Sequence, residues 1–248
     1  MDIGRPDLYA ITLVDIAVAF IPVVVTLAII FHWSNGIGQA SIAILRMLLQ
    51  LLLIGYALEF IFGANNQWII IAVLSFMLVA ASWIALGALP VKRSSLLAYS
   101  LIAIAVGGLF NLALISQGVL HADPWYQPSI LIPLAGMIFS NSMNCVSLAG
   151  ERLYSELGHD ANYERARNTA FQAALIPITN ALLAVGLVSL PGMMTGQILA
   201  GTSPLIAARY QIIVMCMIFS SAGISTALFL YLIRNRPIER RESAESAA

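Results

Sequence analysis

The sequence predicts an all-α protein, a polytopic transmembrane helical bundle of about seven spans with one broken or kinked span at LPGMMTG, residues 190–196. Three observations lead there. With 60% hydrophobic residues and a mean hydropathy of +0.90, too few polar side chains remain to cover a soluble core. The apolar runs recur at lengths of roughly 20 residues, enough to cross a hydrocarbon layer ~30 Å thick. They are continuous and do not alternate, which argues against the short strands of a membrane barrel.

The spans fall at roughly 8–31, 38–62, 67–88, 95–118, 127–149, 171–190 and 205–233. The first is flanked by Asp2 and Asp7 with only Arg5 between them, and it runs on for more than twenty residues. A cleaved signal has a basic start and a shorter apolar region, so this run is expected to be retained. If the spans alternate, Lys92, Arg93, Arg152, Arg165, Arg167, Arg234, Arg236, Arg240 and Arg241 share one side, nine of the twelve basic residues. That side is then cytoplasmic, with the amino terminus outside and the carboxyl terminus inside. The short external connections near Asn65 and Asn66 and around His121, Asp123 and Pro124 leave no room for a receptor domain. One membrane domain is expected over 1–233, followed by a polar, Ala/Ser/Glu-rich and disordered cytoplasmic tail at 234–248.

Between the fifth and sixth spans lies the one sizeable polar segment. Seven charged residues (Glu151, Arg152, Glu156, Asp160, Glu164, Arg165 and Arg167) fall within 151–170, although charged residues make up only 10% of the chain. An isolated charged loop is ordinarily a solvated connector. Here the other internal loops are very short, so this one is expected to be a docking surface.

The sixth span is interrupted by Pro191, Gly192 and Gly196, with Gly201 and Pro204 close behind. A straight helix there would lose a hydrogen bond and carry flexible backbone, so a kink, a break or a re-entrant turn is expected. Pro191, Gly192, Met193, Met194 and Gly196 form a gate or hinge on this reading, and a kink satisfied by neighbouring helices on the plainer one.

Polar residues inside the spans mark a second region. Arg46 and Gln50 are four apart on the second span, and Asn141 and Asn144 share a face of the fifth. With Asn180 on the sixth, they reach comparable depth at ~1.5 Å of rise per residue. A charge at that depth costs about 2.5–3.5 kcal/mol by insertion scales, so it should face protein or water. These five residues are the expected transport pathway; the plainer readings are snorkelling for Arg46 and interhelical hydrogen bonding for the asparagines. Asp15 could pair with Arg46 or face a cavity, and Glu59 lies close enough to a membrane edge to snorkel.

Several chemistries find no support. Lys92, the single lysine, follows Val91 rather than glycine, so no phosphate-cradling P-loop is present. His32, His121 and His159 fall in loops without ligand spacing. Met193 and Met194 are soft potential ligands that point to different faces, which leaves the metal ligands unassigned. Cys145 and Cys216 lie in apolar runs as packing residues. No Ser/His or paired-Asp arrangement suggests an intramembrane enzyme.

Three stretches resemble the FetB family of bacterial membrane proteins: LRMLLQLLLIGYALEFIF, ILIPLAGMIFSNSMN, and AALIPITNALLAVGLVSLPGMMTGQILAG with the ARYQIIV run that follows. That family supplies the permease half of an ABC transporter linked to iron export. The resemblance implies a transport subunit in a bacterial inner membrane that exports iron or a related metal species and is not itself an enzyme. It also implies a separate ATPase subunit that binds ATP and Mg, with no cofactor in this chain, a permease homodimer in the lipid bilayer, and no nucleic-acid partner. ABC permeases dock on the ATPase through a short coupling helix, often an acidic residue followed by glycine. Residues 151–158 look like a degenerate version, with Arg152 and Leu153 in place of an alanine pair. Glu151, Leu157, Gly158, Asp160 and Arg165 are the expected ATPase contacts. Plant relatives connected with aluminium tolerance and sugar-nucleotide export keep another exported substrate open. A secondary transporter using Asp15, Arg46 and Glu59 as an ion relay is the alternative from the residues.

Overall fold

A computed structural model describes residues 12–33, 36–63, 66–158 and 162–235. The elements are α1 (Leu13–Ala19), α2 (Ile21–Trp33), α3 (Ile37–Gly63), α4 (Gln67–Ala85), α5 (Arg93–Ala113) with a π-helical extension (Leu114–Val119), α6 (Pro128–Leu157), α7 (Tyr163–Ala184), α8 (Gly192–Leu199) and α9 (Pro204–Leu232). No strand occurs among the described residues. The chain divides into two compact units, Met1–Gly63 and Ala64–Ala248.

In the first unit, Thr12 caps α1 and Asp15 closes the capping box, its Oδ2 accepting from the Thr12 backbone N–H at 2.8 Å and from the hydroxyl at 2.7 Å. Asp15 is thus engaged locally, and among the described residues no ion pair links it to Arg46. Pro22 sits in the first turn of α2, where its missing N–H costs nothing, and the chain jogs at Phe20 between the two helices. α2 packs along α3.

The second unit is built on α5, α6 and α9, with α4 against α5 and α6, α7 against α6 and α9, and α8 against α9. Lipid tails are as apolar as leucine, so close packing and hydrogen bonds must hold such helices together. The sequence supplies both. A Cβ at Gly107 would stand 2.9 Å from the Ser225 backbone nitrogen and would collide with the Ser225 hydroxyl, so only glycine permits α5 to approach α9 this closely. Gly108 makes the same allowance on the neighbouring face, where a Cβ would meet Phe139 at 2.9 Å. One turn along α5, buried Asn111 donates to Gly107 O at 2.7 Å and accepts from the Ser220 hydroxyl at 2.5 Å. Phe139, Ile104, Leu134, Ile138, Met217 and Phe229 complete the core of this seam.

Among the described residues, six helical segments are long and apolar enough to cross a membrane: Val14–Trp33, Ile37–Leu58, Gln67–Ala85, Arg93–Val119, Pro128–Leu157 and Pro204–Leu232. The span expected at 171–190 takes another form. α7 begins earlier, with Glu164 in its first turn, and stops at Ala184. Its uncharged part is therefore shorter than the roughly 20 residues of a full crossing. Of the 234–248 segment expected to be a tail, 236–248 lie outside the described residues.

Candidate functional site

The interruption at LPGMMTG is a true helix break. After Ala184 the chain turns through 185–189, with the Ala184 carbonyl accepting from the N–H groups of Leu187 (3.1 Å), Val188 (2.8 Å) and Ser189 (3.2 Å). Gly186, at φ +81°, takes the left-handed conformation that closes the turn, and its N–H donates to Ser189 O at 2.9 Å. Pro191 is the N-cap of α8, and its carbonyl accepts from the Thr195 hydroxyl at 3.2 Å. Gly192, Met193, Met194 and Gly196 lie on this two-turn helix. A second left-handed glycine, Gly201 at φ +93°, follows it. Ser203 then caps α9, with Pro204 at its start.

Beside the break is a cavity of about 320 Å³ formed by the end of α7, α8 and the first half of α9; Met194, Gln211, Met215 and Cys216 are among its lining residues. Its one deeply buried polar side chain is Gln211, 5% exposed, whose Oε1 has no hydrogen-bond partner. A buried amide oxygen left unpaired costs about 1–3 kcal/mol, a cost that a donor entering the cavity would remove. Gln197 on α8 also carries a buried, unpartnered Oε1.

The other expected pathway residues are distributed as follows. Arg46 and Gln50 are exposed on α3 in the first unit. In the second unit, Asn141 is half-buried on α6 and donates back to Met137 O of its own helix at 2.8 Å. Asn144 on α6 and Asn180 on α7 are exposed, and none of the three asparagines lines the cavity beside the break. Gln211 and Asn111 were missed. Both are single polar residues inside apolar runs, the signal that singled out Asn141.

In the charged segment, α6 continues without interruption through Glu151 to Leu157, and Gly158 is its C-cap. Arg152 and Glu156 pair at 2.6 Å on its last turns. Glu151 and Gly158 are exposed and Leu157 half-buried; Arg165 is exposed on α7, and Asp160 lies outside the described residues. The Tyr163 hydroxyl donates to Leu230 O, tying the start of α7 to the end of α9. Burial pushes the Tyr163 phenol up, with Arg167 and Arg234 pulling against it.

Long apolar helices, a buried polar seam and an interrupted helix beside a cavity define a multi-pass helical membrane protein. The chain belongs to the UPF0014 family, described as an uncharacterised protein family, whose pattern matches residues 13–238. It is 36% identical over 219 residues to the probable iron export permease protein FetB of Escherichia coli, covering 81% of this chain and 78% of that one. A UPF0014 membrane protein of Synechocystis is 37% identical over 217 residues, 79% of this chain and 83% of the relative. Protein ALUMINUM SENSITIVE 3 of Arabidopsis thaliana is 33% identical over 230 residues, 85% and 82% of the respective chains. No solved structure matches the chain.

Proposed function

We propose that this chain is the membrane-spanning permease subunit of an ABC transporter that exports iron or a related metal species. The observation that carries the reading is the 36% identity, along most of both chains, to a protein named as a probable iron export permease. Two features of the chain support it. A helix break with a cavity at its side gives a transport pathway a place to open, as interrupted helices do in other transporters. The chain also has no glycine-flanked lysine to cradle phosphates, so the energy comes from a partner.

That partner is a separate ATPase subunit, docked on the end of α6 and the connection to α7 through Glu151, Leu157, Gly158, Asp160 and Arg165. Two permease copies form the conduit in a bacterial inner membrane, with the amino terminus outside and the docking face in the cytoplasm. Capture of the full chain from native membranes should bring down an ABC ATPase, and inverted vesicles carrying both should move iron on addition of ATP. Gly158→Trp combined with Asp160→Lys should lower both the capture and the transport at least tenfold. Unchanged capture would move the docking face elsewhere, and iron-independent ATP hydrolysis with no metal movement would overturn the substrate class.

A further inference from the structure

A second cavity, of about 290 Å³, opens between the first turns of α7 and the last turns of α9 and is lined by Arg167, Asn168, Phe171, Ala227, Leu230 and Tyr231. We propose that this cavity is a binding site for an anionic phospholipid, with the phosphate held by Arg167, Arg234 adding charge at the rim over Tyr231, and an acyl chain laid along Phe171 and Ala227. The reading is independent of what the protein transports.

Charge is the first reason. The half-buried Arg167 turns its Nε and Nη2 to the Asn168 side-chain oxygen at 3.1 and 2.9 Å, a neutral acceptor that leaves its positive charge uncompensated. Arg234 stacks 4.5 Å over the Tyr231 ring, again without a carboxylate. Among the described residues the one ion pair is Arg152–Glu156, so Glu164, one turn before Arg167, neutralises neither arginine. Arg167 lines the cavity, and Arg234 reaches its rim by stacking over Tyr231, which also lines it.

Shape is the second. Tyr163 fixes the two helix ends together through Leu230 O, so the walls are held in place. On α7, Phe171 lies four residues beyond Arg167, one turn further from the helix start; on α9, Ala227 lies one turn before Tyr231. The cavity is therefore cationic at the helix ends and apolar one turn deeper, the polarity profile of a phospholipid at the membrane boundary. Basic pockets between membrane helices bind such headgroups, and each arginine near an anionic surface contributes about a fivefold gain in affinity. Free phosphate would satisfy the arginines and leave the Phe171 wall unused.

The full chain, purified in detergent and examined by native mass spectrometry, should retain phosphatidylglycerol and not phosphatidylcholine. Arg167→Gln and Arg234→Gln should each lower retention about fivefold, and Arg167→Lys, which keeps the charge, should hold it near the parent level. Arg209→Gln, an exposed arginine near the opposite end of α9, should change nothing. Equal loss with Arg209→Gln, or no loss with Arg167→Gln and Arg234→Gln, would overturn the site. A measurement that needs no variant is the melting temperature of the parent chain in phosphatidylcholine nanodiscs doped with phosphatidylglycerol. It should rise with the anionic fraction, and a matching rise with inorganic phosphate alone would reassign the cavity to a free anion and overturn the lipid proposal.

Discussion

One helix, α9, serves two unlike regions. Its second half is clamped: Ser221 and Ser225 meet Gly107 of α5 at backbone distance, and Ala222, Thr226 and Phe229 are fully buried. Its first half is loose on one face, where Gln211, Met215 and Cys216 border a cavity against the end of α7 and α8, while Ala207 and Val214 on it stay buried. The clamp is made of small residues at backbone distance and the Ser220–Asn111 hydrogen bond, with the Ser225 and Thr226 hydroxyls buried unpaired inside it; the loose end has the unpaired Gln211 oxygen too, but there it borders a cavity beside the flexible Met215. A helix fixed at one end and under-packed at the other can move its free end without dismantling the bundle, and so the helix break carries the transport reading better than the seam does.

The largest effect should come from breaking the clamp. Gly107→Val places a Cβ only 2.9 Å from the Ser225 backbone nitrogen, and backbone cannot swing aside as a side chain can. The cost should be about 3 kcal/mol, at the upper end for overpacking, read as a fall in the yield and melting temperature of the purified protein. An unchanged melting temperature would mean that the α5–α9 approach does not set stability. The loose end should respond in the opposite sense. Gln211→Leu removes a buried amide whose oxygen has no partner and should raise stability by about 1 kcal/mol, while the iron movement expected under the proposed function falls. If stability drops instead, the amide is satisfied in the working protein and the contrast between the two halves of α9 weakens. Smallest of all is Arg152→Gln, which breaks an ion pair whose arginine side chain is 47% exposed; the melting temperature should register no more than about 0.5 kcal/mol.

The contrast also marks what could be read from sequence. Hydropathy runs located the long helices, because crossing length is a property of each run alone. The break was legible because Pro191 and the glycines around it act on their own backbone. The shortening of α7 was not, since its apolar run continues past Ala184 and only the Gly186 turn ends it. Gly107 announces a close approach, yet nothing local names Ser225 as the partner 118 residues later. Gln211 looks like any polar residue in a span; its isolation depends on where α7 and α8 leave space. The asparagines were identified by type, but Asn141 bonds its own helix, a choice that spacing cannot foretell.

The hydrogen bond from Tyr163 to Leu230 O has a mechanical meaning. Tyr163 is the first residue of α7, next to its N-cap Asn162, so a displacement of that helix end reaches the far end of α9 through one hydrogen bond. A tyrosine in this place works as a tie-rod: the two helix ends travel together, or the bond breaks first.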